Sequence, residues 1–133
     1  MFLSIVFLCL SCSTQKQNVL YFYADGSGNS YKITYNDDVK TVYYNPVKKH
    51  ESSSGEYSGG VETTKEITQS EYDLIKEKIN NAIANKNIQN ERREMGTGLI
   101  SIEKGNEKSI YIIKYNSKEQ KEIEQLLKSI IKN

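Results

Sequence analysis

Apolar and polar residues alternate strictly across Ser30–Asn36: Tyr31, Ile33 and Tyr35 share one face, Lys32 and Thr34 the other. A period of two is the mark of a strand with one buried face. Immediately upstream, Val19-Leu-Tyr-Phe-Tyr-Ala24 is a β-branched and aromatic run, separated from it by Asp25-Gly-Ser-Gly-Asn29. The pair predicts a hairpin whose glycines supply the positive φ of a tight turn. Asn36-Asp37-Asp38 turns the chain again into a third strand over 39–44, closed by Pro46, the only proline. Residues 47–60 have the composition of a mobile polar loop. Residues 61–67 read as a fourth strand, with Val61, Thr63, Lys65 and Ile67 on one side.

The period then changes. Thr68-Gln-Ser-Glu71 is a capping box, and Ile67 ahead of it is placed to staple onto Tyr72. The helix it opens runs to about Ala84, with Tyr72, Ile75, Ile79, Ala82 and Ile83 on one face. Residues 88–98 are less regular. Residues 99–103 and 108–115 form a second hairpin about Lys104-Gly105-Asn106, and Ser117, with Gln120 in the reciprocal position, caps a last helix. Ile123, Leu126, Leu127, Ile130 and Ile131 give that helix a continuous apolar stripe. Tyr31–Asn36 and Tyr111–Asn116 look alike, a match that duplication or strand alternation alone can produce. The expected class is α+β: an antiparallel sheet of about five to six strands with two helices packed on one face. The other face is expected to be solvated and tyrosine-bearing.

Ahead of this pattern stands a stretch that belongs to neither period. Phe2 to Leu10 is almost unbroken apolar surface, too short to span a bilayer and of the length of a signal-peptide core. Leu8-Cys9-Leu10-Ser11-Cys12-Ser13 resembles the lipobox of bacterial lipoproteins, with Leu8 one position further out than the family's leucine. The resemblance implies cleavage before Cys12, acylation of its thiol and new amino terminus, and a location in the cell envelope, membrane-anchored by lipid and facing the periplasm or the surface. Residues 1–11 are then a signal peptide, 12–18 a lipidated tether and 19–133 a single α+β domain. Read instead as part of the fold, Phe2 to Leu10 is an N-terminal strand or helix of a cytosolic domain.

Composition narrows the partners. The net charge is +1, with Lys and Arg nearly equal to Asp and Glu, so no basic field favours nucleic acid. Both cysteines lie in the leader, which leaves a folded domain that packs without disulfides or cysteine-held metal. The expected partners are a membrane, through the lipid anchor, and an envelope or secreted protein.

No constellation of catalytic residues emerges. Asp25-Gly-Ser27-Gly-Asn29 spaces its oxygens as a calcium loop does, but lacks the glycine at Ser30 and the terminal glutamate of that pattern, so a hairpin turn is the reading; no metal or cofactor is expected. His50, the only histidine, lies in a loop with no nucleophile elbow or second ligand nearby. Gly96-Thr-Gly98 precedes a strand rather than opening a helix, unlike phosphate-binding glycine motifs. Asp37 and Asp38 adjoin in a turn and form no acid–base dyad. The expectation is a non-enzymatic binding module, of the inhibitor, immunity or accessory type. Candidate contacts are Tyr43, Tyr44, His50, Glu56 and Tyr57, for which tyrosine in Ser/Gly-rich loops is a recurring recognition chemistry, and Arg92 and Arg93. An envelope hydrolase acting on glycans or peptides, or a structural spacer, are the alternatives.

Overall fold

The structure, a computed structural model, describes residues 18–133. The expected leader, the cleavage point and Cys12 lie outside the described residues. Within them the class is α+β, and one antiparallel sheet carries both helices on one face.

The first four strands form a meander: β1 (Val19–Ala24), β2 (Ser30–Asn36), β3 (Val39–Asn45) and β4 (Thr63–Glu66). Pro46 stops β3, and β4 takes one edge of the sheet. Helix α1 (Gln69–Ala84) then carries the chain across to the far edge, where β5 (Gln89–Asn90) pairs with β7 (Glu107–Ile113). Strand β6 (Gly98–Lys104) returns to lie beside β1, and α2 (Lys118–Lys132) closes the chain. The strand order is β4-β3-β2-β1-β6-β7-β5. Seven strands replace the expected five to six. The extra one is β5, whose two residues are too short for alternation to reveal, in a segment read as irregular. The similarity of Tyr31–Asn36 to Tyr111–Asn116 does not extend to structure: the first is strand throughout, whereas β7 ends at Ile113 and Asn116 takes φ 63°.

Both helices begin where local chemistry says they should. The Thr68 side chain accepts from the Glu71 amide and the Glu71 carboxylate accepts from the Thr68 amide, satisfying two of the amides a helix start leaves open. Ile67 and Tyr72, on either side of that box, are both buried. At α2 the Ser117 side chain accepts from the Gln120 amide, but the Gln120 side chain reaches back to the Asn116 amide rather than to Ser117. The helices run antiparallel: Asn85 at the end of α1 donates to Glu119 at the start of α2, and Lys78 meets Glu122 one turn further along.

The core lies between helices and sheet: Tyr72, Ile75, Ile79 and Ala82 of α1 and Ile123, Leu127 and Ile130 of α2 pack on Tyr21, Tyr23, Tyr31, Ile33, Val42 and Ile100. This corrects the expected placement of the tyrosines. Tyr21, Tyr23, Tyr31 and Tyr44 are buried beneath the helices; the Tyr31 ring lies against those of Tyr23 and Tyr44, and the Tyr21 ring meets Tyr72 edge-on. The helix-side tyrosines do what large core residues do, and the hydroxyls of Tyr23 and Tyr44 reach Glu124 and the Gly59 carbonyl. No helix among the described residues is long and apolar enough to cross a membrane.

Candidate functional site

At the end of the sheet where β1 finishes and β6 begins, a cleft of about 790 Å³ opens beside the first half of α2. Its floor is built by backbone proximity. The turns carrying Gly26 and Gly96 approach so closely that a Cβ on Gly26 would lie 2.5 Å from the Gly96 Cα. A side chain at Gly26 would part them. Arg93 ties the same two turns together, donating to the carbonyls of Asp25 (3.3 Å) and Thr97 (3.0 Å).

One wall is the β1–β2 turn. The Asp25 carboxylate accepts from the amides of Ser27 and Asn29 at 2.9 and 3.0 Å and from the Asn29 side chain at 2.9 Å. The carboxylate thus holds the turn. Asn29, buried at 4% exposure, joins three segments: its amide nitrogen also donates to the Tyr57 hydroxyl (2.9 Å), and its oxygen accepts from the Val47 amide (2.8 Å). Facing it, the Tyr44 hydroxyl donates to the Gly59 carbonyl, and the Gly59 amide donates to the Val47 carbonyl. The segment read as a mobile loop is therefore fastened at both ends to the sheet, with a short 3-10 turn at Lys49–Glu51 between.

The other wall is α2. Gln120, Glu124 and Lys128, spaced by four, lie along one side of the helix and line the cleft. Gln120 is buried and bridges, accepting from the Asn116 amide and donating to the Gly96 carbonyl. Glu124 accepts from the Tyr23 hydroxyl at 2.8 Å. Burial, and then the negative charge of Glu124, push the Tyr23 hydroxyl far above the ordinary tyrosine range. Burial does the same for Tyr31, and raises Tyr44. These phenols stay protonated, and those of Tyr23 and Tyr44 donate hydrogen bonds to Glu124 and to the Gly59 carbonyl. Among the described residues no buried side-chain nitrogen or oxygen lacks a hydrogen-bond partner.

The rim is different in kind. Met95 is 97% exposed and Tyr115 69% exposed, the Tyr115 ring resting against Gly96, and Tyr57 is 41% exposed on the opposite side. A polar, internally bonded floor under an exposed aromatic and thioether rim is suited to holding a partner by shape and apolar contact.

Of the residues singled out in sequence, Tyr44 and Tyr57 line this cleft, and Arg93 braces it from behind. The others lie elsewhere. Tyr43 is on the opposite face of the sheet, hydrogen-bonded to Glu62. His50, with its side chain 78% exposed and 3.9 Å from Glu51, stands on the 3-10 turn. Glu56 and Arg92 are exposed and take no part in the walls. Sequence reasoning missed Asn29, Met95, Tyr115, Gln120 and Glu124. The i, i+4, i+8 spacing of Gln120, Glu124 and Lys128 was a readable signal; the convergence of Asn29 with Tyr57, 28 positions apart, was not. No protein-family model matches the chain, and no curated protein matches it.

Proposed function

We propose that the chain is a membrane-anchored exported lipoprotein that acts as a non-catalytic binding module in the cell envelope, with the cleft beside α2 as its recognition site and an envelope or secreted protein as its partner. The observation that carries the binding reading is the rim. Tyr57, Met95 and Tyr115 stand exposed around a floor whose polar groups are already bonded to one another, and aromatic and methionine side chains are those that protein interfaces favour at their centres. A spacer with no specific ligand would have no use for such a concavity. The lipobox-like string ending at Cys12 supports the anchor. The cleft lies at the end of β1 opposite to the one at which the tether enters, which leaves it clear of the anchor.

Two measurements test this. Metabolic acyl labelling with membrane fractionation compares the wild-type chain with Cys12→Ala: label and flotation in the first and neither in the second establish the anchor, and an unlabelled wild type removes it. Photo-crosslinking in cells then places a photoreactive side chain at Tyr115, with Lys76 on α1 as the control position. A discrete adduct at Tyr115 that is absent at Lys76 and lost in Met95→Ala/Tyr57→Ala supports the cleft. Identical adduct patterns at both positions sink it.

A further inference from the structure

The face of the sheet away from the helices carries an apolar patch that the cleft does not use. Alternation places Leu20, Phe22 and Ala24 of β1, Leu99 of β6, and Ile110 and Ile112 of β7 on that side. The register gathers them: Ser101 sits between Phe22 and Ile110, and Leu99 between Ala24 and Ile112. A groove of about 440 Å³ crosses the patch, bordered by Lys32 on β2 and by Lys108, which lies 3.5 Å from Glu103. Ile110 is 56% exposed.

We propose that this face lies against the phospholipid bilayer to which the chain is attached, an inference that rests on the anchor reading above. Its occupant is set by the length of chain outside the described residues and by where that chain ends. Only Ser13 to Gln17 separate Cys12 from Asn18, and fully extended they reach about 20 Å. The tether runs straight into β1, whose second residue, Leu20, already belongs to the open face. The bilayer surface is thus held within a short distance of the patch at all times. Confinement of that kind raises the effective concentration of the surface, so a patch too small to bind a membrane unaided suffices to set the orientation of the domain. Lys32 and Lys108 suit the contact, with aliphatic stems against the patch and ammonium groups at the depth of the headgroup phosphates. The helices and the cleft then face the aqueous side, because Gln120, Glu124 and Lys128 lie on the helix side of the sheet.

The test uses the full lipidated chain in vesicles of phosphatidylethanolamine and phosphatidylglycerol. A single cysteine is introduced by Ile110→Cys, or by Lys76→Cys on the exposed side of α1, and labelled with a polarity-sensitive fluorophore; Cys9 leaves with the leader, and Cys12 is blocked by its acyl chain. The expected result is a blue-shifted emission at position 110, quenched by spin labels carried on the lipid and protected from aqueous iodide, with the reverse at position 76. Equal iodide quenching at both positions in protein that floats with the vesicles overturns the docked face while leaving the anchor intact. Protection from iodide without lipid-borne quenching, accompanied by position-110 cross-links between chains, assigns the face to a second copy and overturns the proposal. Protein that fails to float removes anchor and docking together.

Discussion

At the scale of single residues, Asn29 carries more of the site than any side chain the sequence brought forward. Its amide is shared among the Asp25 carboxylate, the Tyr57 hydroxyl and the Val47 backbone, so it fastens the segment after β3 to the turn after β1. In Asn29→Ala the Val47 amide and one Asp25 oxygen lose their partners in a buried setting, and the expected cost is about 2–3 kcal/mol. Tyr57→Phe removes only the bond between the Asn29 side chain and the Tyr57 hydroxyl, at a partly exposed ring, with an expected cost of about 0.5 kcal/mol. Urea midpoints of the two variants measure the difference; equal midpoints would mean that Asn29 is not the junction. Asp25 explains why the turn resembled a calcium loop. The same oxygen spacing that can surround a cation here lets one carboxylate collect the amides of its own turn, as Asx turns do.

At the scale of elements, the helices were legible because their signals are local. Thr68, Glu71 and the apolar stripe of 67–83 lie within a few turns of one another, and the box they specify is the box that forms. Thr68→Ala should therefore cost about 1 kcal/mol, read as a lower thermal midpoint, whereas Ser70→Ala one turn position away should leave it unchanged. The sheet was legible in part. Alternation groups Tyr31, Ile33 and Tyr35 on one face, but it carries no information about which face the helices choose, and β1 is apolar on both sides: Tyr21 and Tyr23 on one, Leu20 and Phe22 on the other. Tyrosine, amphipathic by nature, reads equally well as core or as surface. The cleft was less legible still. It forms where the turns at Gly26 and Gly96, the segment at Tyr57 and the start of α2 converge, and such convergence depends on strand order. Since β6 lies beside β1 only because α1 carries the chain across the sheet, no local pattern announces that Gln120 will bond to Gly96.

At the scale of the whole molecule, the placement of tyrosines makes the fold sensitive to alkali. Tyr21, Tyr23, Tyr31, Tyr44 and Tyr72 are all buried, and burial is the leading cause by which each hydroxyl is raised above the ordinary tyrosine range, Tyr72 to about 12 and Tyr23 and Tyr31 further. In the unfolded chain these phenols ionise near pH 10. Above that value the folded protein binds more protons than the unfolded one, so the slope of stability with pH is negative. Below it the two states bind equally and the contribution is constant. Stability is expected to be level from neutrality to about pH 9.5 and then to fall, each protected tyrosine adding about 1.4 kcal/mol per pH unit to the slope. For Tyr72 the fall ends as pH passes its folded value of about 12. Tyrosinate absorbance followed together with helical circular dichroism checks this: the absorbance step of the five buried hydroxyls should coincide with loss of helix. Complete tyrosinate formation near pH 10 with the helices intact would show that the phenols reach solvent, and would undo the tyrosine core on which the helix-covered face rests. Tyr23→Phe gives the site-specific form of the same prediction. Without its hydroxyl one of these contributions disappears, the one that persists to the highest pH, and the decline above about pH 10 should become shallower.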